Sequence, residues 1–179
     1  MFFISDIFKT KPDRYLTPLH EKTYETLINL GIPFERVNTD EAITMEDCIQ
    51  INQKLEFNMV KTLFLCNRQQ TRFYLFITTA DKQFKSKEFS KKLGIPRVSF
   101  ASAEQLESML GVKIGAATIF GILLDKEQTV QVVFDEEVVA EEWYGCSDGT
   151  TTGYLKIKSS QVICDFLTYA NHIPTVIQI

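Results

Sequence analysis

Two apolar runs separated by a polar gap constrain this chain more than any other feature. Val60-Lys61-Thr62-Leu63-Phe64-Leu65 is followed, after Asn67 to Thr71, by Phe73-Tyr74-Leu75-Phe76-Ile77. Short runs of this kind around a polar turn predict a β-hairpin. Side chains alternate between the faces of a strand, so Val60, Thr62 and Phe64 share one face and Lys61, Leu63 and Leu65 the other. A lysine among leucines loses hydration, which disfavours its charged form and can make its amine chemically useful. It can equally snorkel its amine to water from the sheet edge.

Helices and strands alternate around this hairpin. Thr17-Pro18 opens a helix that stops at Gly31, preceded by a polar and aromatic lead-in, residues 1–16. Pro33 to Val37 reads as a short strand. Thr44 with Asp47, and Ser102 with Gln105, are two capping patterns ahead of apolar helical faces. A lysine-rich helix from Ser86 to Leu93 is stopped by Gly94 and Pro96, and Arg97 to Phe100 is a brief strand. Ile122-Leu123-Leu124 and Val130 to Phe134, flanking Asp125 to Gln128, read as a second hairpin. Val138 to Ala140 fits a helix or a strand. Residues 143–153 read as a glycine- and threonine-rich loop, Tyr154 to Ile157 as a strand, and Ser160 as the cap of a last helix before a strand-like Thr175 to Ile177. The expected fold is one α/β (α+β) domain with a mixed, mainly antiparallel sheet and surrounding helices.

At 179 residues, with 45% hydrophobic side chains and 14 phenylalanines, the chain suits a single domain with a substantial core. A net charge of −4 argues against bulk affinity for nucleic acid, though not against a local patch. The run Lys82, Lys85, Lys87, Lys91, Lys92 and Arg97 is either such a patch or a solvated helix face. No two of Cys48, Cys66, Cys146 and Cys164 form a Cys-x-x-Cys unit, and His20 and His172 alone give no zinc spacing. The N-terminus lacks signal-peptide character, and no run is long enough to span a membrane, so a cytoplasmic protein is expected. There is no Ser-His-Asp set, phosphate loop or dinucleotide fingerprint. Cys146 is either a nucleophile or an incidental thiol in its loop. Gly115 to Gly121 either offers backbone amides to a ligand or makes a tight turn before a strand.

The order of segments resembles the YbaK-like prolyl-tRNA editing family. The resemblance runs from about Leu16 to the C-terminus, giving a lead-in over 1–16 and an editing domain over 17–179. It rests on Leu30 to Glu35, Thr44 to Cys48, Val60 to Leu65, Leu93 to Ser102 and, most specifically, Leu110 to Gly121. The branch it is most similar to is the freestanding ProX-like Ala-tRNA(Pro) deacylases. The resemblance implies hydrolysis of the ester joining alanine to the terminal ribose of mischarged tRNA(Pro). Such an enzyme meets a physical need, because a synthetase site shaped for proline cannot strongly reject a smaller apolar amino acid. Lys61 corresponds to the family's essential lysine and would orient the ester or stabilise its developing charge. Gly115, Ala116, Ala117, Thr118 and Ile119 would hold the ester carbonyl and terminal adenosine. Thr62, Tyr144 and Asp148 complete the implied pocket. Water would be the nucleophile, with no metal or other cofactor. The implied partners are the 3′ end of aminoacylated tRNA and prolyl-tRNA synthetase, with no membrane.

The sequence departs from the family pattern. Its Gly-x-x-x-Pro motif reads Gly115-Ala116-Ala117-Thr118-Ile119, with isoleucine for proline. Tyr144 stands where a histidine is expected, and Thr62 where many relatives have asparagine. Three readings stand: an active deacylase with an altered pocket, a binding or regulatory module that has lost hydrolysis, and a hydrolase using Cys146.

Overall fold

The computed structural model describes residues 1–42 and 44–179. The expected hairpin forms from β2 (Val60–Cys66) and β3 (Phe73–Thr79), antiparallel, with Lys61 opposite Thr78 and Phe64 opposite Leu75. Asn67 shapes its turn, its Oδ1 accepting the amides of Thr71 at 2.9 Å and Arg72 at 3.0 Å. This hairpin is the centre of a five-stranded sheet ordered β4-β2-β3-β5-β8. β4 (Ser99–Phe100) adds antiparallel to β2, while β5 (Val130–Asp135) and β8 (Thr175–Ile177) continue the sheet in parallel. A second, antiparallel sheet has the order β1-β7-β6, from β1 (Glu35–Asn38), β6 (Trp143–Ser147) and β7 (Gly153–Lys158). The mixed, mainly antiparallel architecture is thus divided into two sheets, which meet at a parallel bridge between Met59 and Gly145. Gly145 is needed there because the Phe57 ring occupies the space a side chain would take.

The helices follow their local signals. α1 (Pro18–Asn29) begins on the Thr17 hydroxyl, which accepts the His20 amide at 3.0 Å. α2 (Met45–Leu55) and α4 (Ala103–Leu110) carry reciprocal capping boxes, Thr44 with Asp47 and Ser102 with Gln105. α3 (Ser86–Leu93) buries Phe89 and Ser90 and turns its lysines outward. The main core joins Leu19 and Tyr24 of α1 to Phe64, Leu75, Phe120 and Phe134. A second core on the opposite face of the five-stranded sheet joins Leu65, Tyr74 and Phe76 to Phe89, Val133 and Ile177. Both faces of β3 are therefore covered, as its unbroken apolar run requires.

Three expectations change and one open alternative closes. Ile122 to Leu124 belongs to a 3-10 helix, Ile119–Leu124, and β5 pairs with β3 and β8, so the second hairpin does not form. The Asp125 carboxylate redirects the chain by accepting the Thr129 and Val130 amides at 3.0 and 2.9 Å. Residues 143–147 are not loop but strand β6, and Cys146 is buried there, 2% exposed. Ser160 makes no capping hydrogen bond; it already has helical backbone angles and leads into a π-helical turn, Gln161–Phe166, continued by α6 (Leu167–Tyr169). Finally, Val138 to Ala140 lie in a helix, α5 (Glu136–Ala140), capped by Asp135.

The lead-in is structured. Ile4 bridges to Thr39 and Phe8 to Arg36, so the segment runs along the outer edge of β1.

Candidate functional site

Gly115 to Thr118 lie in the link between α4 and the 3-10 helix that Ile119 begins. The chain turns at Lys113, whose carbonyl accepts the Ala116 amide at 3.0 Å, and Gly115 has φ 91°, a left-handed conformation that suits glycine. Ala116 and Ile119 anchor the loop in the main core. The buried Thr118 fastens it sideways: its hydroxyl donates to the Ser147 carbonyl at 2.8 Å, at the end of β6. Gly115 faces the Thr151 methyl in the β6–β7 connection. The amides of Gly115, Ala117 and Thr118 donate to no acceptor among the described residues. Thr118 is fully buried, which leaves the Gly115 and Ala117 amides as the donors open to an incoming oxygen of an ester or phosphate.

Asp148 begins the β6–β7 connection at 2% exposure. Its Oδ2 lies 3.0 Å from His20 Nε2 and accepts from the Tyr24 hydroxyl at 2.7 Å. Its Oδ1 accepts the Thr150 amide and hydroxyl at 3.1 and 2.7 Å. His20 Nδ1 accepts the Leu16 amide at 3.0 Å, so its proton must sit on Nε2 and point at Asp148. Burial would raise the Asp148 carboxyl, but hydrogen bonds from His20, Thr150 and Tyr24 outweigh it and hold the group below the usual carboxylate range. Tyr24, in contrast, is pushed far up, first by burial and then by the adjacent Asp148 charge. Near neutral pH Asp148 therefore acts as a charged peg that sets the shape of the connection touching the 115–118 loop.

Tyr144, fully buried in β6, packs its ring against Phe134 with centroids 6.4 Å apart. Its hydroxyl has no hydrogen-bond partner among the described residues, and burial pushes the phenol well up. Thr62 is the polar side chain that bears on it. Burial likewise pushes the Cys146 thiol up, and Thr118 lies 3.9 Å away as its polar neighbour. A buried thiol held protonated is a poor nucleophile.

Lys61 is placed apart. Val60 and Phe64 pack with the main core that holds Ala116 and Ile119, whereas Leu63 and Leu65 pack with the second core. Alternation therefore turns Lys61 to the second face of β2, and its amine donates to the Lys82 carbonyl in the turn before α3. Lys82 is itself held by Asp135 at 2.8 Å and Glu137 at 3.2 Å. The structure thus brings together Gly115, Thr118 and Asp148 through the β6–β7 connection, and separately Thr62 with Tyr144. Lys61 lies across the sheet from both groups.

In the basic run, Lys85 pairs with Glu88 at 3.5 Å, while Lys87, Lys91, Lys92 and Arg97 are exposed and carry no ion pair among the described residues. Sequence reasoning passed over His20, Tyr24 and Arg36. His20 and Asp148 are 128 positions apart, and no local pattern links them. Among the described residues no cluster of histidine, cysteine and carboxylate side chains is placed to hold a metal, and no helix is long and apolar enough to cross a membrane.

The fold defines the class, a mixed α/β domain built on two sheets. The chain belongs to the aminoacyl-tRNA editing domain family, whose model matches residues 39–163. It is 32% identical over 113 residues to the prolyl-tRNA editing protein ProX of Acetoanaerobium sticklandii, covering 63% of this chain and 69% of that one. It is 26% identical over 161 residues to prolyl-tRNA synthetase associated domain-containing protein 1 of Danio rerio, covering 89% and 86%. A solved structure described as a candidate trans-editing enzyme for prolyl tRNA synthetase shares the fold, with a TM-score of 0.63 at 15% identity over 92% of this chain and 99% of that one.

Proposed function

We propose that the chain hydrolyses the ester between a mis-attached amino acid, alanine first, and the terminal ribose of tRNA(Pro). The observation that carries this reading is the 115–118 loop, fastened to Ser147 and presenting the amides of Gly115 and Ala117 without acceptors among the described residues. Water adds to the ester carbonyl carbon, and the carbonyl oxygen takes up negative charge against those amides. The ribose oxygen leaves with a proton, giving the free amino acid and uncharged tRNA. Lys61 is assigned the role of orienting or neutralising the ester, which requires its amine to exchange the Lys82 carbonyl for substrate. Residues 17–179 form the editing unit in this reading. It works in the cytoplasm on the product of prolyl-tRNA synthetase, and the exposed cations of α3 contact RNA phosphates.

A second reading is favoured by one specific observation. Lys61 faces away from the 115–118 loop, which suits a module that binds the aminoacyl end without cleaving it. Deacylation of Ala-tRNA(Pro), with Pro-tRNA(Pro) and Ser-tRNA as controls, separates the two. The enzyme reading expects turnover of the alanyl ester that is lost in Lys61→Ala while circular dichroism stays native. Absence of turnover of every ester by the wild type would refute it in favour of the module.

A further inference from the structure

Arg36 on β1 is only 5% exposed, yet no carboxylate lies within 4.0 Å of it among the described residues. Buried charges are normally paired, so a buried guanidinium without a counter-ion calls for a physical reason. Its Nε donates to the Thr10 carbonyl at 2.6 Å and its Nη1 to Asn38 Oδ1 at 3.1 Å. The Phe8 ring covers it, with the guanidinium carbon 4.7 Å from the ring centroid. Its Nη2 makes no hydrogen bond among the described residues and is not sealed off. Arg36 lines a cavity of about 430 Å³ between the lead-in, β1 and the β6–β7 connection.

The charges around this cavity favour an anion. Lys11 and Arg14 stand at its mouth; Lys11 also pairs with Glu25 at 3.3 Å. Two acids oppose them. Asp148 is spent on His20, Tyr24 and Thr150, and Asp13 is exposed. His20 turns its Nε2 proton to Asp148 and offers the cavity none. A guanidinium held by two fixed acceptors and flanked by the Phe8 and Tyr24 rings, 4.7 and 6.0 Å away, with an edge still open, matches the geometry of a phosphate oxygen. The position of the cavity is also telling. Asp148, Thr150 and Thr152 line it, while Ser147 and Thr151 of the same connection touch the 115–118 loop.

We propose that this cavity is a phosphate-binding subsite anchored by Arg36. Resting on the function proposed above, it takes a backbone phosphate of the same nucleic acid whose terminal ester meets the 115–118 loop. The competing role is that of a pin for the lead-in, through Thr10 and Phe8, with no ligand.

The test is amide NMR of the isotope-labelled full chain titrated with inorganic phosphate, with acetate as control, for wild type, Arg36→Gln and Arg36→Lys. Saturable shifts at Thr10, Arg36 and Thr150 to Gly153 are expected, stronger for phosphate than for acetate. Losing a charged hydrogen bond should weaken binding by about tenfold or more in Arg36→Gln. Arg36→Lys keeps the charge without the fork and should lie between. No saturable shift in the wild type, equal shifts in the folded variants, or acetate binding as strongly as phosphate would each overturn the proposal. Should Arg36→Gln unfold, the comparison is read from Arg36→Lys. An unacylated RNA hairpin ending in CCA identifies the source. The same shifts at lower concentration, competed by phosphate, support a nucleic-acid phosphate; phosphate binding without any RNA effect overturns that half and leaves a site for a small phosphorylated molecule. A failed deacylation assay with intact phosphate binding would refute the hydrolase reading alone.

Discussion

Replacing Asp148 with asparagine tests the central electrostatic claim. The carboxylate accepts from His20 and Tyr24 on one oxygen and from the Thr150 amide and hydroxyl on the other. An asparagine NH2 must take one of these places. Hydroxyls can rotate to accept, but the Thr150 amide cannot, and His20 is fixed by the Leu16 amide on its other nitrogen. Whichever way the amide turns, one N–H is orphaned and the remaining bonds lose their charge assistance. One orphaned donor at ~1–3 kcal/mol plus weaker remaining bonds gives a cost of about 4 kcal/mol. For a domain of this length that is about a 10 °C fall in Tm. Urea and thermal unfolding followed by circular dichroism read it. A pH series sharpens the test. Because the folded carboxyl lies below its unfolded value, its stabilisation is fully present above that value and is lost as pH falls through the folded one. The gap between wild type and Asp148→Asn should therefore be constant near neutrality and close from about pH 5 downward. Equal midpoints at pH 7, or a gap that persists unchanged into acid, would refute the reasoning.

Three further outcomes are expected. Under native conditions iodoacetamide should label the exposed Cys164 and leave the buried Cys146 untouched, as read by peptide mass spectrometry; native labelling of Cys146 would reopen the nucleophile alternative. Gly121→Ala should cost about 1–3 kcal/mol by overpacking, because the added Cβ would lie 2.8 Å from Leu110 Cβ and 3.1 Å from the Leu110 carbonyl; an unchanged urea midpoint would show that α4 can yield. Reversing charge at Lys85 and Lys92 should weaken RNA binding and flatten the slope of log affinity against log salt by roughly 1.5 to 2; no effect on either would remove α3 from the RNA-facing surface.

Local chemistry was legible where the chain decides locally. The two capping boxes, the glycine stops and the Lys61 hairpin are set by neighbours a few positions apart, and all formed. The misread second hairpin shows the limit. Val130 to Phe134 is a strand, but which strand it joins depends on β3 and β8, not on the apolar residues just before it. Residues 145–147, Gly-Cys-Ser, carry the small side chains of a loop, yet Gly145 is small because Phe57 needs the space. At the site, the 115–118 loop stood out by its small residues. The pegging of its neighbour by His20 and Tyr24 did not, since those contacts join α1 to a turn near the other end of the chain.

The path of the lead-in along β1 has a consequence for solubility. An open strand edge invites pairing with another molecule, and proteins blunt such edges by covering them or keeping them short. Here β4 and β8, which end the larger sheet, span two and three residues, while the outer edge of β1 is covered by Ile4 and Phe8. Removing the first ten residues would bare that edge and the Arg36 side chain together, so a truncated chain should self-associate strand to strand more readily than the full chain.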